Sequence, residues 1–258
     1  MQAAIMCQVV RLQRHWSTVL EHGFTADGTC NDETYGRLPP LPEHLFTGDF
    51  DWLTAGAAGP DAPYMQPYAV PKPAMYELDD RLARYGLYLP ASFVTFMTST
   101  TLPQRIPSPF DAWQMSGPAL SPVEEHGRLL RFMSDAQGAN WESYLYLAAD
   151  GTCPVLGSTG LPTPEIDEEP EGHPPCTPAE FAEDIYWLAP DFEQFLYRYW
   201  VENVIWSHLV DQERPAAELP PLARNYFALL QDVDRPPLDV WPAPLTWLMR
   251  NPDQLELW

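Results

Sequence analysis

Lysine is almost missing from this sequence. Lys72 stands alone, and every other basic side chain is an arginine. Between Arg131 and Arg198 there is neither lysine nor arginine. Nucleic-acid backbones are gripped by basic patches that displace counterions, and anionic membrane surfaces by polybasic segments. A chain of 258 residues with a net charge of −22 offers neither. Nucleic acid and membrane are therefore not expected as partners.

Other absences narrow the field further. No run of about 18 apolar residues occurs, so no membrane span is expected. The start, Met1-Gln2-Ala3-Ala4-Ile5, has no basic stretch ahead of an apolar one, which argues against a secretory signal. The four cysteines, Cys7, Cys30, Cys153 and Cys176, form no C-x-x-C pair. A chain this long needs no disulfide staple, so free thiols and a cytoplasmic location are expected. Glycine-rich phosphate loops of the G-x-G-x-x-G and G-x-x-x-x-G-K kinds are absent, so no nucleotide cofactor is expected. Gly157-Ser158-Thr159-Gly160 lacks the G-x-S-x-G nucleophile elbow and reads as a strand end. His173 and Cys176 lie close together, but a zinc site needs two more soft ligands, and no metal is expected. Acid pairs such as Asp79-Asp80, Glu124-Glu125 and Glu168-Glu169 read as solvated surface. No catalytic residue emerges, and the chain is not expected to be an enzyme.

What is present is apolar, aromatic and punctuated by proline. Apolar residues make up 45%, enough for a sizeable core. The 10 tryptophans read as core rather than binding surface. The 30 prolines cannot sit inside helices or central strands, so much of the chain must be connection.

Ile5, Val9, Leu12, Trp16 and Val19 step by four and three, which predicts a helix over the N-terminal segment. From Phe24 to Pro73 the pattern dissolves into Gly, Pro and Asp, with isolated aromatics such as Phe50 and Trp52. Ala26-Asp27-Gly28-Thr29-Cys30 returns as Ala149-Asp150-Gly151-Thr152-Cys153 without matching flanks, so it is turn chemistry rather than a repeat. Tyr76 to Tyr85 suits a helix ended by Gly86. A second short helix should carry Phe93, Phe96 and Met97 on one side. Leu129–Met133, Trp141–Leu147 and Pro154–Gly157 are joined by turn residues and predict a three-stranded antiparallel meander. Leu161 to Pro178 is acidic and proline-rich, with no regular structure expected. Asp191 and Gln194 sit at capping-box spacing and open a helix running to about Val210, apolar nearly all round. Another helix is expected from Pro220-Pro221, with Leu222, Tyr226 and Leu229 on its face. The interval between Arg131 and Arg198 holds 13 of the 36 acidic residues, so the negative field is localised.

The sequence resembles the SUKH superfamily, which includes bacterial immunity proteins and a fungal regulator of cell-wall synthesis. The likeness rests on Leu89-Pro90 before the helix Ala91–Met97, the strand Leu129–Phe132, and Trp141–Leu147 followed by Asp150-Gly151 and Pro154-Val155-Leu156. It ends with Ala189–Leu196 continuing to Asn203. It covers roughly residues 76–210. Where family members often carry an Asn-Gly-Gly-like turn, this chain has Ser99-Thr100-Thr101-Leu102-Pro103. The resemblance implies an α+β fold, a sheet meander flanked by helices, and binding that neutralises a toxin protein without catalysis. Residues 1–75 are then an extension, a helix and a Pro/Gly-rich stretch packed on the core. Residues 211–258 form a helical, Pro/Trp-rich extension. Basic toxins such as nucleases would be drawn to an acidic partner. The expected partner-binding residues are Glu142, Glu165, Asp167, Glu168, Glu169 and Glu171. Two alternatives stay open: a regulatory or scaffold domain with no toxin partner, and an enzyme with a concealed carboxylate or thiol site.

Overall fold

The structure is a computed structural model. It describes residues 7–17, 20, 29–30, 34–54, 69–108, 111–121, 127–136, 141–159, 185–232 and 246–250.

The expected meander is the centre of the fold. Strands β7 (Arg128–Asp135), β8 (Glu142–Leu147) and β9 (Val155–Ser158) pair antiparallel in sequence order. Alternation places Tyr144 and Tyr146 on one face of β8 and Ser143, Leu145 and Leu147 on the other, and all five are buried. A strand buried on both faces needs covering on both. β10 (Ile185–Ala189) extends the sheet antiparallel to β9. Sequence reasoning passed over β10, although Ile185-Tyr186-Trp187-Leu188 is a β-rich run. Two short strands, β5 (Asp111–Trp113) and β6 (Ala119–Leu120), lie on the other side of β7.

The N-terminal segment is extended, not helical. It forms β1 (Cys7–Arg11), β2 (Gln13–Arg14) and β3 (Trp16–Ser17). β2 joins the main sheet parallel to β10, making it seven-stranded and mixed. β3 pairs with β4 (Thr29–Cys30), and β1 with β11 (Thr246–Arg250). The alternating steps of four and three fit no single strand face, but the segment is broken into three short strands, and Leu12, Trp16 and Leu20 are buried from separate pieces of it. Three different pairing partners then decide in favour of strand.

Among the described residues five α-helices complete the α+β fold: α1 (Asp51–Thr54), α2 (Lys72–Ala83), α3 (Ala91–Met97), α4 (Phe192–Trp206) and α5 (Pro221–Leu230). α2 starts before Tyr76 because Pro73 fits a first helical turn, where its missing N–H costs nothing. It ends at Gly86, where φ is +74°. There the Leu87 N–H reaches Leu82 O (3.1 Å) and the Gly86 N–H reaches Ala83 O (3.0 Å), closing the helix end. α4 begins as its capping residues predict: Asp191 Oδ1 accepts from the Gln194 N–H at 2.8 Å. Helical chain continues as a π-turn over Ser207–Asp211, close to the expected end. On α5, Tyr226 is buried and Leu222 partly so, while Leu229 faces outward.

Aromatic rings fill the core. Phe93, Phe132, Phe192 and Phe195 interlock edge to face, with centroids 5.0–5.9 Å apart. Trp16, Trp52, Trp113, Trp187 and Trp200 are buried, as the core reading of tryptophan expects. The same core takes Leu12, Tyr35, Phe50 and Trp52 from the first segment and Leu219, Ala223 and Tyr226 from the last. No helix among the described residues is long and apolar enough to cross a membrane.

Candidate functional site

Three connections meet at one end of the meander and leave a cleft of about 520 Å³ between them. One wall is the link from α2 to α3, Gly86 to Pro90. The second is the β8–β9 turn, contributing Ala148, Gly151 and Cys153. The third is the start of α4, Asp191 to Glu193, with Phe46 beside it. Each wall is fixed locally. The α2–α3 link is held by Asp79 Oδ1, which accepts from the Leu89 N–H at 2.9 Å. Leu87 and Leu89 point inward, so the residue between them, Tyr88, is driven outward and is 65% exposed. In the turn, Asp150 Oδ1 accepts from the Thr152 N–H (2.8 Å) and hydroxyl (2.6 Å). Those bonds hold the Asp150 carboxyl below its ordinary pKa.

Glu193 is anchored from two sides. Its carboxylate accepts from the Gly48 N–H (2.9 Å) and from Trp52 Nε1 (3.2 Å). The segment that supplies both donors passes through Phe50, a non-glycine residue in the left-handed region at φ 61°. Its ring is fully buried against Phe96, which holds that backbone in place. Burial pushes the Glu193 pKa up, while the bonds from Trp52 and Gly48 pull it down. Asp191 is gripped twice by Gln194, through the backbone N–H and through Nε2 at 2.7 Å. Cys153 is the one thiol among the described lining residues, and burial pushes its pKa up to about 11, so it stays protonated near neutrality. The cleft thus joins apolar walls to two anchored carboxylates. That combination suits binding an apolar body that carries a positive end.

The expected partner-binding acids fall in different places. Glu142 opens β8, half-buried, and pairs with Arg131 at 2.7 Å. The Tyr144 hydroxyl also donates to it. A partner would meet an ion pair at Glu142, not a bare carboxylate. Glu165, Asp167, Glu168, Glu169 and Glu171 lie outside the described residues, as do His173 and Cys176. No group of three potential metal ligands occurs among the described residues.

Of the aromatics singled out in the sequence, Tyr144 and Tyr146 are core. Trp141 and Tyr186 are half-buried and stack at 5.9 Å, with His15 against both at 5.2 and 5.0 Å. Gly157 makes this possible, because Trp141 lies directly over it. A methyl group there would be driven into the Trp141 ring and would meet Leu188 Cδ1 at 3.0 Å. Gly157→Ala is expected to cost about 1–3 kcal/mol in chemical denaturation. In a Trp141→Ala background the same substitution should cost much less. An equal cost in both backgrounds would show that the ring is not the obstacle.

Sequence reasoning missed Tyr88, Phe46 and Glu193 as members of one site. Their only sequence signal is the alternation Leu87-Tyr88-Leu89, which does not say what the tyrosine faces. Comparison with protein-family models, with curated proteins and with solved structures finds no match for this chain.

Proposed function

We propose that this chain is a non-catalytic protein-binding domain whose partner is basic. The observation that carries the reading is the distribution of charge. The net charge is −22, and 13 acids fall between Arg131 and Arg198 without one lysine or arginine among them. Within that interval, Glu142, Asp150, Asp191 and Glu193 all hold up local structure. The partner surface proposed here centres on the segment containing Glu165, Asp167, Glu168, Glu169 and Glu171, where the acids are densest. Two features support a binding role over a catalytic one. The cleft thiol is held protonated, and the cleft carboxylates are engaged by fixed donors. Within this reading the resemblance to the SUKH superfamily favours an immunity protein that neutralises a toxin, acting in the cytoplasm.

The test uses proteins encoded next to this one, co-expressed with the full chain and captured with it. Binding of a basic neighbour should weaken at least about tenfold from about 0.1 M to about 1 M salt, as the screening length falls from about 10 Å to about 3 Å. Replacing the five acids from Glu165 to Glu171 by their amides should weaken it similarly at low salt. Capture that ignores both salt and the amide variant would overturn the electrostatic reading.

A further inference from the structure

We infer that the cleft between Tyr88, Cys153 and Glu193 receives an arginine side chain projecting from the basic partner. This rests on the reading above and assigns it a specific pocket.

The argument starts from shape and lining. A cleft of about 520 Å³ is large enough for a long side chain together with some flanking backbone. Its described lining is apolar along Leu87, Leu89, Ala148 and Phe192, with Tyr88 and Phe46 as aromatic rings. Two carboxylates, Asp191 and Glu193, complete it, and no lysine, arginine or histidine is among the described lining residues. Arginine and lysine lay an alkyl stem along apolar surface and present charge at the tip. Arginine fits better here, because its planar guanidinium also stacks on an aromatic face such as that of the exposed Tyr88.

The carboxylates are oriented but not exhausted. Each oxygen of Asp191 and Glu193 accepts one hydrogen bond, and a carboxylate oxygen has two lone pairs. Four acceptor positions therefore remain on groups already fixed in direction. Among the described residues neither carboxylate is in an ion pair. Asp49 stands near enough to Glu193 to add to the negative field. The start of α4 opposes this field with its helix dipole, but that amounts to only about half a positive charge beside two carboxylates. The net preference is for a cation.

The experiment titrates the full-length protein with the peptide acetyl-Gly-Arg-Gly-amide and with its citrulline counterpart, which keeps the shape and loses the charge. Amide resonances of Gly86, Tyr88, Gly151, Cys153 and Glu193 report on the site. Saturable shifts at these amides are expected with the arginine peptide, at an affinity at least about tenfold above that for citrulline. Asp191→Asn keeps a good helix cap while removing charge, so it should weaken binding several-fold without unfolding α4. Tyr88→Ala should do the same, and its exposure makes it harmless to the core. Equal binding of the two peptides, or no shift at the cleft, would overturn the inference. Those outcomes leave the basic-partner reading standing if salt-sensitive capture is still observed. Loss of that capture, with arginine binding retained, would overturn the reading and keep the pocket.

Discussion

Replacing Arg198 by alanine is expected to destabilise the fold by about 3–5 kcal/mol, the cost of leaving a buried charge without its partner. Arg198 is almost fully buried within α4. Its Nη1 donates to the Tyr226 hydroxyl at 2.7 Å, and that hydroxyl donates to Glu202 Oε1 at 2.6 Å. Trp16 Nε1 donates to the other Glu202 oxygen at 2.9 Å, and Arg198 Nη2 reaches Pro39 O at 3.2 Å. Burial alone would lower the arginine pKa, but Tyr226, Tyr35 and Glu202 outweigh it and keep the charge on. Removing Arg198 takes a positive charge away from the buried Glu202 carboxylate. The same network ties residues from the first segment and from α5 to the central helix, so its loss should loosen both ends of the chain. Urea unfolding followed by tryptophan fluorescence measures the cost. Tyr226→Phe, which breaks the relay but keeps both charges, should cost less, about 1–3 kcal/mol. A loss below about 1 kcal/mol for Arg198→Ala would mean the network carries little of the stability.

The second large effect concerns pH. Asp111 opens the edge strand β5, directly opposite Asp135 on β7. Its Oδ2 lies 2.7 Å from the Tyr199 hydroxyl, which is itself 2.5 Å from Ser108 Oγ. Burial raises the Asp111 pKa from 3.8 to about 6, with Asp135 adding to the rise and the bonds from Tyr199 and Ser108 opposing it. Between those two values the folded chain holds a proton that the unfolded chain releases. Stability therefore increases as pH falls through that window and is lost as pH rises through it. A shift of this size corresponds to about 3 kcal/mol. Asp111→Asn keeps an oxygen for Tyr199 and cannot ionise. The variant should be more stable than the parent at pH about 8, with the advantage shrinking toward pH about 4. Relief of overall negative charge also stabilises the parent in acid, but it acts on both proteins and cancels in the comparison. A constant difference across the range would show that Asp111 is not the group responsible.

Much of the fold could be read locally. The meander, the stop at Gly86, the cap at Asp191 and the largely apolar α4 each follow from a few neighbouring residues: turn chemistry, capping geometry and a period of two or 3.6. The N-terminal segment could not, since its apolar residues carry a helical period and only pairing with β10, β4 and β11 makes it strand. The cleft is further still from the sequence. Phe46, Tyr88, Cys153 and Glu193 come from four separate stretches, and no spacing relates them.

The sequence by itself determined the sign and concentration of charge, the α+β class and the residues that start and stop the principal elements. These depend on composition and on contacts within a few residues. Tertiary structure alone decided which charges are anchored internally and by what. Glu142 pairs with Arg131, Glu202 with the relay from Arg198, and Glu193 with Trp52 and Gly48. How a carboxylate is engaged depends on what lies across space from it, and that is set by packing between separate stretches, as far apart as Gly48 and Glu193.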